Sequence, residues 1–301
     1  MGALMLFLGL IFLPHSAFAV ISESGTKPIV VAYFNGMWTT EERAEIGKNA
    51  VIDLMGTNQN GTPLDYELFY NQNDSTLIDL AETFEQRSKE LDGVLADRWE
   101  IFWEILDGRH TESHSLTAKL LNGLGADGRA LAPLIDATFN ATLAKFVAIC
   151  SEPVGTPSTE ADYAAHFAKL SELSSQSKGF VLVGSSQGTL FVNHNYDTFL
   201  AAYPEFTLNT KTAFIAPASP TTRPEGGDDS NYILSSNDLV IGALRLMGGA
   251  KPNNITIAPS SKDIGGHALI ETYLDPDRNG RARVQEIIST ALDAVNAAPQ
   301  P

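Results

Sequence analysis

Residues 184–188 read Gly-Ser-Ser-Gln-Gly, at the end of the apolar run "GFVLVG" and directly before a helix-compatible segment. A strand that turns into a helix within a residue or two crowds its own backbone. The positions two before and two after the apex must then be small, and Gly184 and Gly188 meet that demand. The apex residue, Ser186, is pushed into a strained conformation with its hydroxyl aimed away from the sheet. The amide of Gln187, opening the next helix, would face an oxyanion formed near Ser186. The chemistry this suggests is nucleophilic catalysis. The same five residues are also compatible with a plain glycine-rich strand-to-helix turn.

A serine hydroxyl becomes a nucleophile at neutral pH only with a base beside it, and that base needs a carboxylate to orient it. Of the six histidines, only His194 and His267 lie beyond Ser186. His194 would sit on the helix that starts at the turn, about 12 Å of rise away, which is too far. His267 lies in "DIGGHALIETYL", on a Gly-rich loop leading into a helix. For the acid, "NYILSSNDLVIGALR" places Asp238 at the carboxyl tip of a strand candidate, where open parallel sheets bind ligands. A helix N-cap is the other reading of Asp238. Asp228 and Asp229 stand behind it, and then Asp263, which shares a loop with His267. Ser186, Asp238 and His267 thus run in the order nucleophile, acid, base, each after a strand candidate.

A second pattern, "DPDRNGRARVQE", puts Asp275, Asp277, Asn279, Gly280 and Glu286 at positions 1, 3, 5, 6 and 12 of a calcium-loop template. Pro276, Arg278, Arg281 and Arg283 add bulk and positive charge to it. The expectation is therefore split between a structural Ca2+ site and an Asp/Asn/Gly turn joining two terminal helices. No other cofactor is expected.

The elements that must position these groups alternate. Strands are expected at 28–36, 64–71, 179–184, 211–219, 231–238 and 253–260, with helices at 40–56, 75–93, near 160–175, and at 188–202, 239–248, 267–274 and 283–296. Residues 94–150 read as helical throughout, and a Pro/Gly/Ser/Thr-rich break follows at 151–160. Alternation of this kind predicts an α/β fold, a mostly parallel central sheet with helices on both faces.

Composition narrows the rest. At 301 residues, 44% hydrophobic and 19% charged, the chain has the makings of a large globular core. A net charge of −16 argues against a broad nucleic-acid footprint. The first nineteen residues contain no Lys, Arg, Asp or Glu and end in Ala17-Phe18-Ala19, the pattern of a secretory signal peptide cleaved after Ala19, with an uncleaved anchor as the competing reading. That predicts an exported protein, periplasmic or secreted, with no stable membrane span in the mature chain. The single cysteine, Cys150, excludes an intramolecular disulfide.

With these residues in place, the chain resembles the α/β-hydrolase superfamily, in particular its lipase- and esterase-like members, from about residue 28 to 296. The elbow "VLVGSSQGTLFVN" is similar to that of a bacterial subgroup with His before the nucleophile and "QGNLF" after it. Ser185 and Thr189 depart from that pattern. The resemblance implies a catalytic Ser186, Asp238 and His267. It also implies a second oxyanion donor from the loop after the first strand, "YFNGMW", at Gly36 or Met37. The core would comprise 20–93 and 151–301, with 94–150 an inserted helical cap. Trp38, Trp99 and Trp103, together with Phe102, Leu131, Leu134, Phe139 and Phe146, would line an apolar substrate pocket. The implied activity is carboxylic ester hydrolysis on a small-molecule ester or lipid. A non-catalytic binding or structural protein on the same scaffold is the competing expectation.

Overall fold

The computed structural model describes residues 27–36, 39–72, 157–225, 229–246, 250–258, 262–263 and 266–301. The signal segment, the helix expected at 75–93, the cap at 94–150 and Cys150 lie outside the described residues.

Six strands form one sheet: β1 (Ile29–Phe34), β2 (Asn58–Gln59), β3 (Thr62–Phe69), β4 (Gly179–Ser185), β5 (Thr210–Ile215) and β6 (Tyr232–Ile233), in the order β2-β3-β1-β4-β5-β6. Only β2, a short edge strand, is antiparallel to its neighbour. The other pairings are parallel, with Phe34 of β1 level with Gly184 of β4 and with Phe69 of β3. Every residue of β1 and β4 is buried, which is why both read as continuous apolar runs and not as alternating ones.

Helices cover both faces. α1 (Glu41–Met55) and the C-terminal α5 (Asn279–Ala297) lie on one face, and α5 crosses β4, β5 and β6. α3 (Gly188–Ala202) packs on β4 and β1 from the other face, with α2 (Pro157–Ser174) against it. A short α4 (Leu239–Leu246) follows β6. α1 starts where Thr40 Oγ1 accepts the Arg43 N–H at 3.2 Å and stops at Gly56, whose φ is 73°. Among the described residues no helix is long and apolar enough to cross a membrane.

β1 goes by way of α1 to β3 on one side, whereas β4 pairs with its other side. The loops after β1 and β4 therefore diverge at a topological switch point, where open α/β sheets leave a crevice. The loop after β1 is fixed by Asn35, which is wholly buried. Its Oδ1 accepts the Asn71 N–H at 3.0 Å, and its Nδ2 donates to the carbonyls of Gly36 (3.0 Å) and Asn71 (3.3 Å).

The expected strands at 231–238 and 253–260 are a correction. The first shortens to β6, and the second survives only as a bridge between Ser235 and Ile255. Side-chain amides replace the ladder there. Asn254 Oδ1 accepts the Leu234 N–H (3.0 Å), Asn254 Nδ2 donates to the Tyr232 carbonyl (2.9 Å), and Asn237 Nδ2 donates to that of Ile257 (2.8 Å). The helix expected at 267–274 is a single π turn, Leu269–Tyr273, and α5 begins four residues earlier than expected, at Asn279.

One core histidine has a thermodynamic consequence. His166 of α2 is 4% exposed, with its ring edge-on to Phe34, Phe69 and Phe191. Its Nε2–H donates to the Tyr70 carbonyl at 2.9 Å, while Nδ1 is buried without a partner. Burial drives its pKa from 6.5 down to about 4, opposed by the Tyr70 hydrogen bond and assisted by Lys169. The unfolded chain thus binds this proton between about pH 6.5 and 4 while the fold excludes it, so the contribution is complete above 6.5 and lost as pH falls through that window. The expected loss is about 3 kcal/mol. Urea midpoints of wild type and His166→Phe across pH 4–7 should show a flatter dependence in the variant; parallel curves would contradict this.

Candidate active site

The turn from β4 to α3 follows from backbone crowding. Ser186 has a φ of 53°, a left-handed value rarely adopted by a non-glycine residue. It is held there by its N–H on the Ile215 carbonyl (2.9 Å) and by its own carbonyl, which accepts from Thr189 (3.0 Å) and Ala218 (3.3 Å). A Cβ at Gly188 would penetrate the Phe34 carbonyl oxygen and lie 2.8 Å from that of Asn35. A Cβ at Gly184 would meet the Gly188 backbone at 3.1 Å. The two glycines therefore let α3 press against the end of β1. The same approach puts Gly36 beside Ser186, with its missing Cβ only 3.0 Å from Ser186 Cβ.

Asp238 follows β6 and is 1% exposed. Its Oδ1 accepts the Ile241 N–H at 2.9 Å, so it caps α4 while the rest of the carboxylate faces His267. The cap and acid readings of this residue are therefore compatible. His267 sits on a loop shaped by Gly266, whose φ is 62°. Asp263 braces that loop, because its Oδ2 accepts both the Ala268 N–H and the Thr272 hydroxyl at 2.7 Å.

These elements bring three side chains into one chain of hydrogen bonds. His267 Nε2 lies 2.9 Å from Ser186 Oγ, and His267 Nδ1 lies 2.9 and 3.1 Å from the two oxygens of Asp238. An ionised carboxylate accepts only, so Nδ1 carries the proton and Nε2 is the acceptor for the serine hydroxyl. Burial pulls the imidazole pKa down. The charge and hydrogen bond of Asp238, with the charge of Asp263 in support, outweigh it and leave His267 above its ordinary value. The arrangement can take a proton from Ser186 Oγ and stabilise the imidazolium that results.

A residue that sequence reasoning did not single out completes the cluster. Tyr273, wholly buried, donates its hydroxyl to Asp238 Oδ2 at 2.8 Å. A tyrosine in an apolar stretch reads as core, and only the pairing across 35 residues distinguishes it.

Gln187 opens α3, so its amide belongs to the helix N-terminus, where backbone donors lack intrahelical acceptors. It and Gly36 flank Ser186. Met37, Trp38, Trp99, Trp103, Asp228 and the other residues assigned to an apolar cap lie outside the described residues. Asp229 falls in the short turn before β6, and Asp263 is engaged by Ala268 and Thr272. A cavity of about 170 Å3 adjoins Ser186 and His267, lined among others by Tyr33, Thr39, Arg43, Ser185, Leu269 and Glu271. Arg43 and Glu271 form an ion pair at 2.8 Å along its wall.

The calcium-loop template is not folded as such a loop. Asn279, Gly280 and Glu286 belong to α5, so the last eight template positions are helical. Asp275 accepts from Lys262 (3.1 Å) and from the Asp277 N–H (3.0 Å), Asn279 donates to the Thr256 carbonyl (3.0 Å), and Glu286 pairs with Arg283 (2.7 Å). Among the described residues no group of three or more His, Cys, Asp or Glu side chains could hold a metal. Arg278 and Arg281 of the template reach back to the segment before α5. Arg278 Nη1 donates to the Glu271 carbonyl and to Thr272 Oγ1, both at 3.0 Å, and Arg281 Nη1 donates to the Leu274 carbonyl at 2.9 Å.

Compared with known proteins, the chain matches no family model, no curated protein and no solved structure. What is established is an α/β fold with a mostly parallel sheet and a Ser–His–Asp cluster at the carboxyl ends of its strands.

The two glycines are expected to differ in their tolerance. Gly188→Ala must displace the end of β1, a cost of about 1–3 kcal/mol or more in urea unfolding. Gly184→Ala needs a shift of only a few tenths of an ångström and should cost less. Equal losses would contradict the packing described here.

Proposed function

We propose that this chain is an exported serine hydrolase that cleaves carboxylic esters on an α/β-hydrolase fold, in the manner of lipases and esterases. The observation that carries the reading is the unbroken hydrogen-bond chain from Ser186 Oγ through His267 to a buried Asp238. It is supported by the strained backbone of Ser186 and by helix-opening amides beside it.

In this mechanism Ser186 Oγ attacks the acyl carbon as its proton passes to His267 Nε2. The negative charge formed on the carbonyl oxygen is met by the Gln187 amide and by a second donor, the amide of Gly36 or Met37. The imidazolium, held by Asp238, returns the proton to the departing alcohol, and the ester C–O bond breaks. Water, deprotonated by His267, attacks the acyl-enzyme, and the Ser186 hydroxyl is restored as the acid leaves. The cavity beside Ser186, between α1 and the His267 segment, would seat part of the substrate. The remaining apolar portion would lie against the cap. The chemistry requires no cofactor.

Fluorophosphonate labelling tests the reading. Modification at Ser186 is expected in wild type and is lost in Ser186→Ala and His267→Ala. No labelling of folded wild type would favour a binding protein on the same scaffold. With nitrophenyl esters, Asp238→Asn should lower kcat by about 10^3–10^4-fold.

The base must be neutral to accept the serine proton, and its pKa is raised. kcat/KM should therefore fall as pH drops through a value above the ordinary 6.5, and an acid limb below 6.5 would contradict the assignment of His267.

A further inference from the structure

We propose that Tyr273 is a positioning residue of this site, acting through Asp238: its hydroxyl holds the carboxylate aimed at His267 and limits the basicity the carboxylate lends to the imidazole. This rests on the reading of Ser186, His267 and Asp238 as a catalytic unit.

The hydrogen-bond directions are fixed. The Ser235 N–H can only donate, and it donates to the Tyr273 hydroxyl oxygen at 3.1 Å. The phenolic proton is thereby turned to Asp238 Oδ2, 2.8 Å away. Burial and the Asp238 charge hold the phenol far above its ordinary pKa, so it remains a donor throughout the working range. A buried carboxylate is costly unless its lone pairs are satisfied. Here Oδ1 takes the Ile241 N–H and Oδ2 takes Tyr273, and what is left of both faces the His267 Nδ1–H.

The chain places the phenol by a deliberate-looking distortion. Leu269–Tyr273 is a π turn, closed by bonds from Tyr273 N to the Ala268 carbonyl (3.4 Å) and from Leu274 N to that of Leu269 (2.8 Å). Such turns hold one more residue than an α-helical turn and recur at functional sites. The base and its acid's second partner are thus carried on one short segment, six residues apart. Asp263 and Arg278 brace this segment through Thr272. A tyrosine serving the core alone would need its ring buried but not its hydroxyl on this carboxylate.

Donation into Asp238 spreads its negative charge, and removing the donor leaves more of that charge to stabilise the imidazolium. Among the described residues, the charged or titratable groups around His267, besides Tyr273 itself, are Asp238, Asp263 on its own loop, Glu271 on the π turn, and Arg43 from α1 and Tyr33 from β1 on the cavity wall. Tyr273→Phe changes none of them.

The test is an NMR titration of the His267 imidazole in the full chain, alongside the pH profile of kcat/KM. Tyr273→Phe is expected to raise the imidazole pKa by about one pH unit and to move the acid limb of kcat/KM equally. 3-Fluorotyrosine placed at 273, a stronger donor that keeps the fold's hydrogen bonds, is expected to move both the other way. It carries the test should the Phe variant fail to fold. An imidazole pKa unmoved in the folded variants, even with lowered thermal stability, overturns the proposal. If wild type is labelled by fluorophosphonate and the pKa does not move, the hydrolase reading stands and this one falls. If labelling fails but the pKa moves, the hydrolase reading falls and takes the positioning role with it, leaving only a hydrogen-bond coupling of Tyr273 to His267 through Asp238.

Discussion

The carbonyl groups at the end of β1 lie so close to residue 188 that no side chain fits between them and α3. That contact fixes where α3 starts, and hence where the turn before it must be made. Ser186 absorbs the cost as a left-handed backbone conformation, held by its N–H on the Ile215 carbonyl and by the Thr189 and Ala218 amides on its own carbonyl. Without the contact, α3 could retreat, Ser186 could relax, and Gly36 would no longer adjoin it. The rest of the sheet gives this contact its rigidity, because β1 is paired along its length on both sides and wholly buried.

Electrostatics then decides what the three side chains can do. Asp238 is almost completely removed from water, and a buried carboxylate is costly unless its oxygens are hydrogen-bonded. It is given an amide, a phenol and an imidazole N–H. His267 gains from this more than burial takes away. His166 is the instructive contrast. It is buried among aromatic rings, with only a carbonyl for a partner, and its pKa falls. Burial alone pushes both imidazoles toward neutrality, and the nearby carboxylate reverses the outcome in one of them.

Local constraints were the ones legible in the sequence. The glycines flanking Ser186 have to be small because of atoms within a few residues and one facing strand, so the pattern can be read without knowing the fold. The alternation of strands and helices likewise predicts the mostly parallel sheet. Asp238 and His267 could be picked out because few carboxylates and fewer histidines follow strand candidates in the right order. Asn35 and Tyr273 were not visible in the same way, since their partners lie 36 and 35 residues distant. The segment 253–260 misleads because Ile255 and Ile257 alternate as in a strand, whereas the amides of Asn254 and Asn237 occupy the backbone groups a ladder would use.

The acidic and amide residues at 275–286 match a cation loop in type and spacing, yet the chain supplies its own cations in the same stretch. Arg278 and Arg281 reach back to carbonyls of Glu271 and Leu274, at the end of the π turn that follows His267. Exposed carbonyls at a helical C-terminus attract positive charge, and a guanidinium meets that need with directed donors. α5 then propagates from Asn279 with its buried face on β4, β5 and β6. The same helix that closes one face of the sheet, with the Arg278 that precedes it, therefore anchors the segment bearing His267. A substitution at Arg278, just before α5, or at Arg281 in its first turn would act first on the alignment of His267 and only secondarily on the core, because the guanidinium contacts are at the segment and the apolar contacts lie further along the helix.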